Sequence, residues 1–282
     1  MRCSGKRMKG QYGDMMKCKR TSIFAVAILL IGSALLTSCG TDSVTTDHVA
    51  MMSIYEQVRM DAARGRMDEA KANWKDAVMN ANASEKLSDD LIQTIESHDI
   101  LITSLPCFFL PDELSSQDIL DFCGNFCWMF YDMQFPGYPN PSKLYPAESI
   151  SWQNYEAIFT MEKQTVEQLA SDFFDLQNFK LDELELIEWR DSMYETYPDF
   201  ADSFWSNTFC YILHDPDPPA LTYKSERSLG GGFFYVVFEQ GWDSDVEYPS
   251  MLQDLHVILR VSDNFFGYEV VSVLQNGEVS LL

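Results

Sequence analysis

Apolar residues along this chain keep one spacing for most of its length and another near its end. From about Val49 to Ala81, Ile54, Val58, Ala62, Ala70, Trp74 and Val78 recur at the intervals of one helix face, and Gly65 is placed to interrupt that helix. A second helix is expected from about Ser84 to Ile102, where Leu87, Leu91, Ile95 and Leu101 keep the rhythm and Ser88-Asp89-Asp90 supplies capping residues. Residues 49–103 therefore read as a helical hairpin. Beyond it, Ser115 or Ser116 can cap a helix with Ile119, Leu120, Cys123, Phe126, Cys127 and Phe130 on one side. Thr165 followed by Gln168 offers a capping pair for VEQLASDFFDL, and Leu181 to Tyr194 reads as a further, acidic helix.

The last sixty residues change character, with the runs FFYVVF, LHVILRV and YEVVSVL separated by turn signals, so they predict strands. An Asn276-Gly277 turn would set Leu274 opposite Val279 and Ser272 opposite Leu281. A two-residue turn at Asp263-Asn264 would set Val261 opposite Phe266, Leu259 opposite Tyr268 and Val257 opposite Val270. One face is then continuously apolar. The other carries His256, Ile258, Arg260, Glu269, Val271 and Val273, a mixed set that helices can partly cover. Helices followed by strands argue for α+β, N-terminal helices and then a C-terminal antiparallel meander, with residues 104–282 as one α+β domain.

Ahead of these elements stands a segment of different composition. Lys17, Lys19 and Arg20 precede an apolar run from Ile23 to Leu36, and Leu36-Thr37-Ser38-Cys39 ends it with small residues. This ending resembles the lipobox of bacterial lipoproteins. That resemblance, confined to the N-terminal seventh, implies that residues 1–38 are a signal peptide and that Cys39 receives lipid. The implied location is the bacterial cell envelope, on the extracytoplasmic side of a membrane. One acyl chain holds a protein only marginally, at about 0.8 kcal/mol per buried methylene, so durable attachment at Cys39 implies more than one. The competing reading of Thr21 to Ser38, 18 uncharged residues, is a transmembrane anchor at the lower edge of spanning length. Residues 39–48, small and polar, are expected to be a tether.

Charge narrows the choice of partner. The chain carries a net −23, and residues 39–282 alone hold 13 basic against 42 acidic residues, a net of −29. Such a surface repels nucleic acid and anionic lipid, attracts cationic partners at low salt, and also keeps a domain soluble. Disorder is excluded, because 46% hydrophobic and 13% aromatic residues are enough to build a core. Cys107, Cys123, Cys127 and Cys210 permit two disulfides in any of three connectivities. Cys123 and Cys127 have ligand-like spacing, but no nearby histidine or second cysteine pair completes a metal site, so buried thiols are the expectation and no metal or cofactor is assigned.

Catalytic motifs give little. There is no G-x-S-x-G elbow, H-E-x-x-H, C-x-x-C or P-loop, and Gly230-Gly231-Gly232 precedes a strand, as a turn does. Asp243-Ser244-Asp245-Val246-Glu247 alternates oxygen ligands but has Tyr248 where a calcium loop needs glycine, so a solvated acidic turn fits better. His256, Arg260 and Glu269 could converge on one sheet face for acid–base work or anion binding. Cys210 and His214 sit near a strand end, where their spacing holds them about 13 Å apart, so no catalytic pair is assigned. The proline-rich segment 135–146, with Tyr138 and Tyr145 and the nearby Trp152 and Tyr155, offers an aromatic surface for a partner, or a rigid connector packed by its own tyrosines. The expectation is a non-catalytic binding module for a cationic protein or glycan. The alternative is an envelope hydrolase working through carboxylates or His256.

Overall fold

A computed structural model describes residues 43–132, 141–153, 156–176, 179–196, 198, 208–214, 219–241 and 254–275. The α-helices are α1 (Ser43–Ala63), α2 (Met67–Asn80), α3 (Asp89–Ser97), α4 (Asp99–Thr103), α5 (Ser116–Cys127), α6 (Lys163–Phe174) and α7 (Glu183–Thr196). The strands are β1 (Ala147–Gln153), β2 (Glu156–Glu162), β3 (Thr208–His214), β4 (Ala220–Gly230), β5 (Phe233–Gly241), β6 (Asp254–Val261) and β7 (Tyr268–Gln275). The architecture is α+β, with N-terminal helices followed by an antiparallel meander in the order β4-β5-β6-β7. Cys39 and the expected signal segment lie outside the described residues. Among the described residues no helix is long and apolar enough to cross a membrane.

Gly65 ends α1 as expected. At φ +77° it adopts the left-handed conformation, its N–H bonds to Ala62 O at 2.9 Å, and Arg66 N–H bonds to Asp61 O at 3.0 Å. That pair of bonds is a Schellman motif, which turns the chain straight into α2. The hairpin is therefore α1 against α2, not residues 49–81 against 84–102. Residues 43–282 form one compact unit rather than a hairpin joined to a separate domain. The end of the expected tether also changes, because Ser43 to His48 already belong to α1, where adding residues to a nucleated helix costs little.

The two halves of the expected hairpin pack on opposite faces of the meander. Alternate residues of its strands enter two different cores. Phe234, Val236, Phe238, Leu255, Val257, Leu259, Tyr268 and Val270 join the large cluster with α3 to α7. Phe233, Ile258, Val271 and Leu229 pack with Tyr55, Val58, Trp74 and Val78 of α1 and α2. The mixed face foreseen from the sequence is thus the one that the first two helices cover.

Both edges of the meander are covered, which hides their unpaired backbone groups. Along β4, Glu96 accepts from Tyr223 N–H at 2.7 Å, Glu226 accepts from Leu87 N–H at 3.2 Å, and Ala83 N–H donates to Ser228 O at 3.4 Å. Beside β7, Phe108 exchanges two backbone bonds with Val273, at 2.9 and 3.0 Å.

The β6–β7 register corrects the two-residue turn. Val261 pairs with Tyr268, Leu259 with Val270 and Val257 with Val273. A four-residue loop, Asp263 to Phe266, replaces the tight turn, because Asn264 Oδ1 accepts from Phe266 and Gly267 N–H, each at 3.0 Å, and Gly267 takes φ +79°. A slip of two keeps side chains on their faces. The extra residue of a bulge near Val271 then moves Val273 to the apolar side and Ser272 to the mixed side. The Asn276-Gly277 turn lies outside the described residues.

Ser88 and Ser115 cap α3 and α5 as their positions foretold, Ser115 in a reciprocal box with Asp118. For α6 the capping pair was misplaced. The helix begins at Lys163 directly from β2, so Thr165 lies inside it. The small sheet β1-β2-β3 was foreseen only in the strand ending near His214. Gly230, Gly231 and Gly232 all take positive φ in the β4–β5 turn, as a turn rather than a phosphate cradle.

Candidate functional site

Arg260 and Glu269 do meet, because they are cross-strand partners on the face that α1 covers. Arg260 Nε donates to Glu269 Oε2 at 2.7 Å, and Ser262 Oγ donates to Glu269 Oε1 at 2.9 Å. The same guanidinium reaches Asp175 Oδ2 at 3.0 Å. Asp175 sits at the end of α6 with φ 52°, a conformation aspartate tolerates better than most residues. From the other side Arg59 of α1 donates to the Asp175 carbonyl and approaches its carboxylate at 3.7 Å. Arg59 also grips Asp112 with a two-pronged bond, at 3.1 and 3.3 Å. A continuous network, Asp112–Arg59–Asp175–Arg260–Glu269–Ser262, thus ties α1, α6, β6, β7 and the turn at Pro111–Glu113 together.

Aromatic rings back this network. Arg59 lies 5.9 Å from the Tyr55 ring centroid and Arg260 lies 5.7 Å from that of Phe233. Tyr55 is 1% exposed and its hydroxyl has no hydrogen-bond partner among the described residues. Burial pushes the Tyr55 phenol up, so it stays protonated at neutral pH. Burial also raises the Asp175 and Glu269 carboxyls, against the pull of Arg260 on both. Three carboxylates around two guanidiniums leave one negative charge in excess. The two guanidiniums are engaged by these carboxylates, so the arrangement works as a clamp between layers rather than as an open anion site.

His256 does not join Arg260 and Glu269. Four positions along β6 from Arg260, it is about 13 Å away by strand rise. Its Nδ1 lies 2.7 Å from the Tyr235 hydroxyl. The sequence pattern identified the right face but could not show that the histidine and the arginine serve different contacts.

The aromatic surface is also redistributed. Tyr145, expected to face a partner, is 2% exposed. Its ring packs against Phe126 at 5.6 Å and its hydroxyl donates to Asp172 at 2.6 Å. That placement favours the connector packed by its own tyrosine over the exposed surface, because a large ring stabilises more by burial in this aromatic cluster than in solvent. Trp152 lies in β1, and its side chain, like Tyr138 and Tyr155, falls outside the described residues. The acidic segment 243–247 and the side chains of Cys210 and His214 are outside them as well. Cys123 and Cys127 are fully buried on α5, and burial, with Cys123 close by, pushes the Cys127 thiol well up and makes it a poor nucleophile.

Two features were not anticipated. His98, at the junction of α3 and α4, is 1% exposed, with Nδ1 3.0 Å from the Tyr268 hydroxyl and rings of Phe130 and Phe266 beside it. Burial lowers its pKa to about 4, so it is neutral at pH 7. A groove of about 390 Å³ lies between the first half of α1 and the end of α2, floored by Met51, Ile54 and Leu229. Asp76 and Asn80 on its rim bond each other at 3.0 Å, so they are not aimed at a ligand. Comparison with protein-family models, with curated proteins and with solved structures gives no match for this chain, so its functional reading rests on its own residues.

Proposed function

We propose that this protein is a lipid-anchored extracytoplasmic protein of the bacterial envelope whose folded part is a non-catalytic binding module for a cationic protein or glycan. The observation that carries the reading is the acid surplus, a net of −29 over residues 39–282. Part of that surplus is exposed and unspent. Glu188, Asp191 and Glu195 are exposed on α7 and make no ion pair among the described residues. The anchor half rests on Leu36-Thr37-Ser38-Cys39 at the end of the apolar run. Against the hydrolase alternative, His256 is held about 13 Å along its strand from the Arg260–Glu269 pair, too far to share a reacting atom.

The two halves have separate tests. Cys39→Ser should release the protein from sedimented membranes, and a variant that still sediments would overturn lipid attachment at that residue. A crosslinking pull-down from the native envelope at low and high salt should enrich one species that is lost at high salt. Association with that species should slow steeply as salt rises, and a rate indifferent to salt would remove the electrostatic reading. Hydrolysis of a cell-wall or glycan substrate that is abolished by heat inactivation of the protein would favour the enzyme instead.

A further inference from the structure

Helix α7 turns apolar side chains outward. Leu186 and Trp189 fix its inner side. On the outer side Leu184 is 73%, Ile187 45% and Tyr194 48% exposed. At 100° per residue these three fall within an arc of roughly 80° and span about 15 Å of helix. One exposed leucine is unremarkable in any protein. Three along the outer line of one helix form a patch suited to a partner.

Charge selects the occupant. Glu183, Glu188 and Glu195 border the stripe, Asp191 lies within its arc between Ile187 and Tyr194, and the single basic residue of α7 is Arg190. Lys163 neutralises Glu183, while Glu188, Asp191 and Glu195 have no ion pair among the described residues. A second copy of the chain would set these acids against their own kind, and an anionic membrane surface would be repelled for the same reason. A partner whose apolar line is flanked by basic residues and carries one opposite Asp191 meets both halves of the pattern. Because the stripe follows a helix axis, a second helix can seat its side chains between Leu184, Ile187 and Tyr194.

We infer that the outer face of α7 is the docking surface for a basic amphipathic helix of a partner protein. This inference rests on the cationic-partner reading and gives it a location. Three apolar contacts make a small interface, so the complex is transient and of micromolar strength, with its association rate set by the acids.

The test uses the full chain, immobilised through a C-terminal tag and washed free of detergent. The probes are an 18-residue peptide of leucine and lysine with its leucines on one helix face, the same composition scrambled so that no face exists, and polylysine. The ordered peptide should bind in the micromolar range at low salt, at least tenfold more tightly than the scrambled one. Leu184→Ser, Ile187→Ser and Tyr194→Ser together should weaken it at least tenfold. Glu188→Gln, Asp191→Asn and Glu195→Gln together should weaken it at least threefold and flatten its salt dependence. All six positions are exposed, and an unchanged melting curve for both variants confirms that the fold is intact. Equal binding of the two peptides, or full binding by the serine variant, would overturn the α7 site. Salt-sensitive binding of polylysine in that case would leave the cationic-partner reading standing, whereas failure of all three probes would remove both. A dimer of the chain itself that the serine variant abolishes would also overturn it, in favour of self-association.

Discussion

The two faces of the β4–β7 meander are built from alternate residues of the same strands, yet they are held by different forces. On one side Phe173, Phe174, Phe266, Phe126 and Tyr268 pack edge to face with centroids a few ångströms apart, and the imidazole among them, His98, is kept neutral. On the other side the apolar contact of Trp74 and Tyr55 with Phe233 is bordered by five charged groups. The lesson is that strand periodicity assigns residues to faces, while the helices that arrive on each face decide whether it is dry or ion-paired. The faces should therefore differ in their response to deletion, to pH and to salt.

The largest effect is expected on the dry side. Phe173 is fully buried, with Phe122 at 4.5 Å and Phe266 at 4.8 Å, and Phe173→Ala should cost about 4 kcal/mol in urea unfolding, with little salt dependence. A loss below 1 kcal/mol would mean that this core is not organised around that ring. On the paired side Arg260→Ala should cost about 3 kcal/mol, because it leaves the buried Glu269 and the half-buried Asp175 without their main counter-charge. Arg59→Ala shares Asp175 with it, so the double variant should depart from additivity by about 1 kcal/mol; strict additivity would show that the network is not continuous.

Acid separates His98 from the arginine-bound carboxyls by sign. His98 has a folded pKa of about 4 against an ordinary 6.5, so below pH 6.5 the unfolded chain takes up a proton that the folded chain refuses. Stability is lost through that window, by up to about 3 kcal/mol at pH 4. Asp175 and Glu269 are raised, so the folded chain takes their protons first, and their contribution grows as pH falls from neutrality toward the carboxylate range. His98→Gln should therefore cancel the acid loss and expose the opposite trend. Parallel urea-unfolding profiles for the two proteins from pH 7 to 4 would break the comparison. The smallest effect belongs to the turn that brings the paired layer into place. Gly65→Ala meets nothing within 4 Å but must hold φ +77°, so about 1 kcal/mol of thermal stability should go, and Gly65→Asn should lose less.

Much of this fold was legible in the order of residues. Ser88, Ser115 and Gly65 act within one helical turn of themselves, so their roles could be read without knowing what packs nearby. The faces of β6 were right even though the β6–β7 pairing was off by two, because face depends on parity alone. The candidate site was legible only in part. Arg260 and Glu269 could be placed on one face, but Arg59, Asp112 and Asp175 come from segments far away in the chain, and nothing local marks them as partners. Tyr145 misled because a tyrosine in a proline-rich loop has the same sequence signature whether its ring faces solvent or Phe126.

By itself the sequence determined the strong acidity, the helix-then-strand order and the capped helix ends, since each depends on composition or on neighbours within a few residues. Only the tertiary structure decided that α1 and α2 pair with each other while α3 crosses to the opposite face, that two arginines bind three carboxylates there, and that α7 is left with apolar side chains in solvent. The reason is physical. Amphipathic periodicity says which side of an element seeks cover, whereas the identity of the cover depends on how all the elements share the available apolar surface.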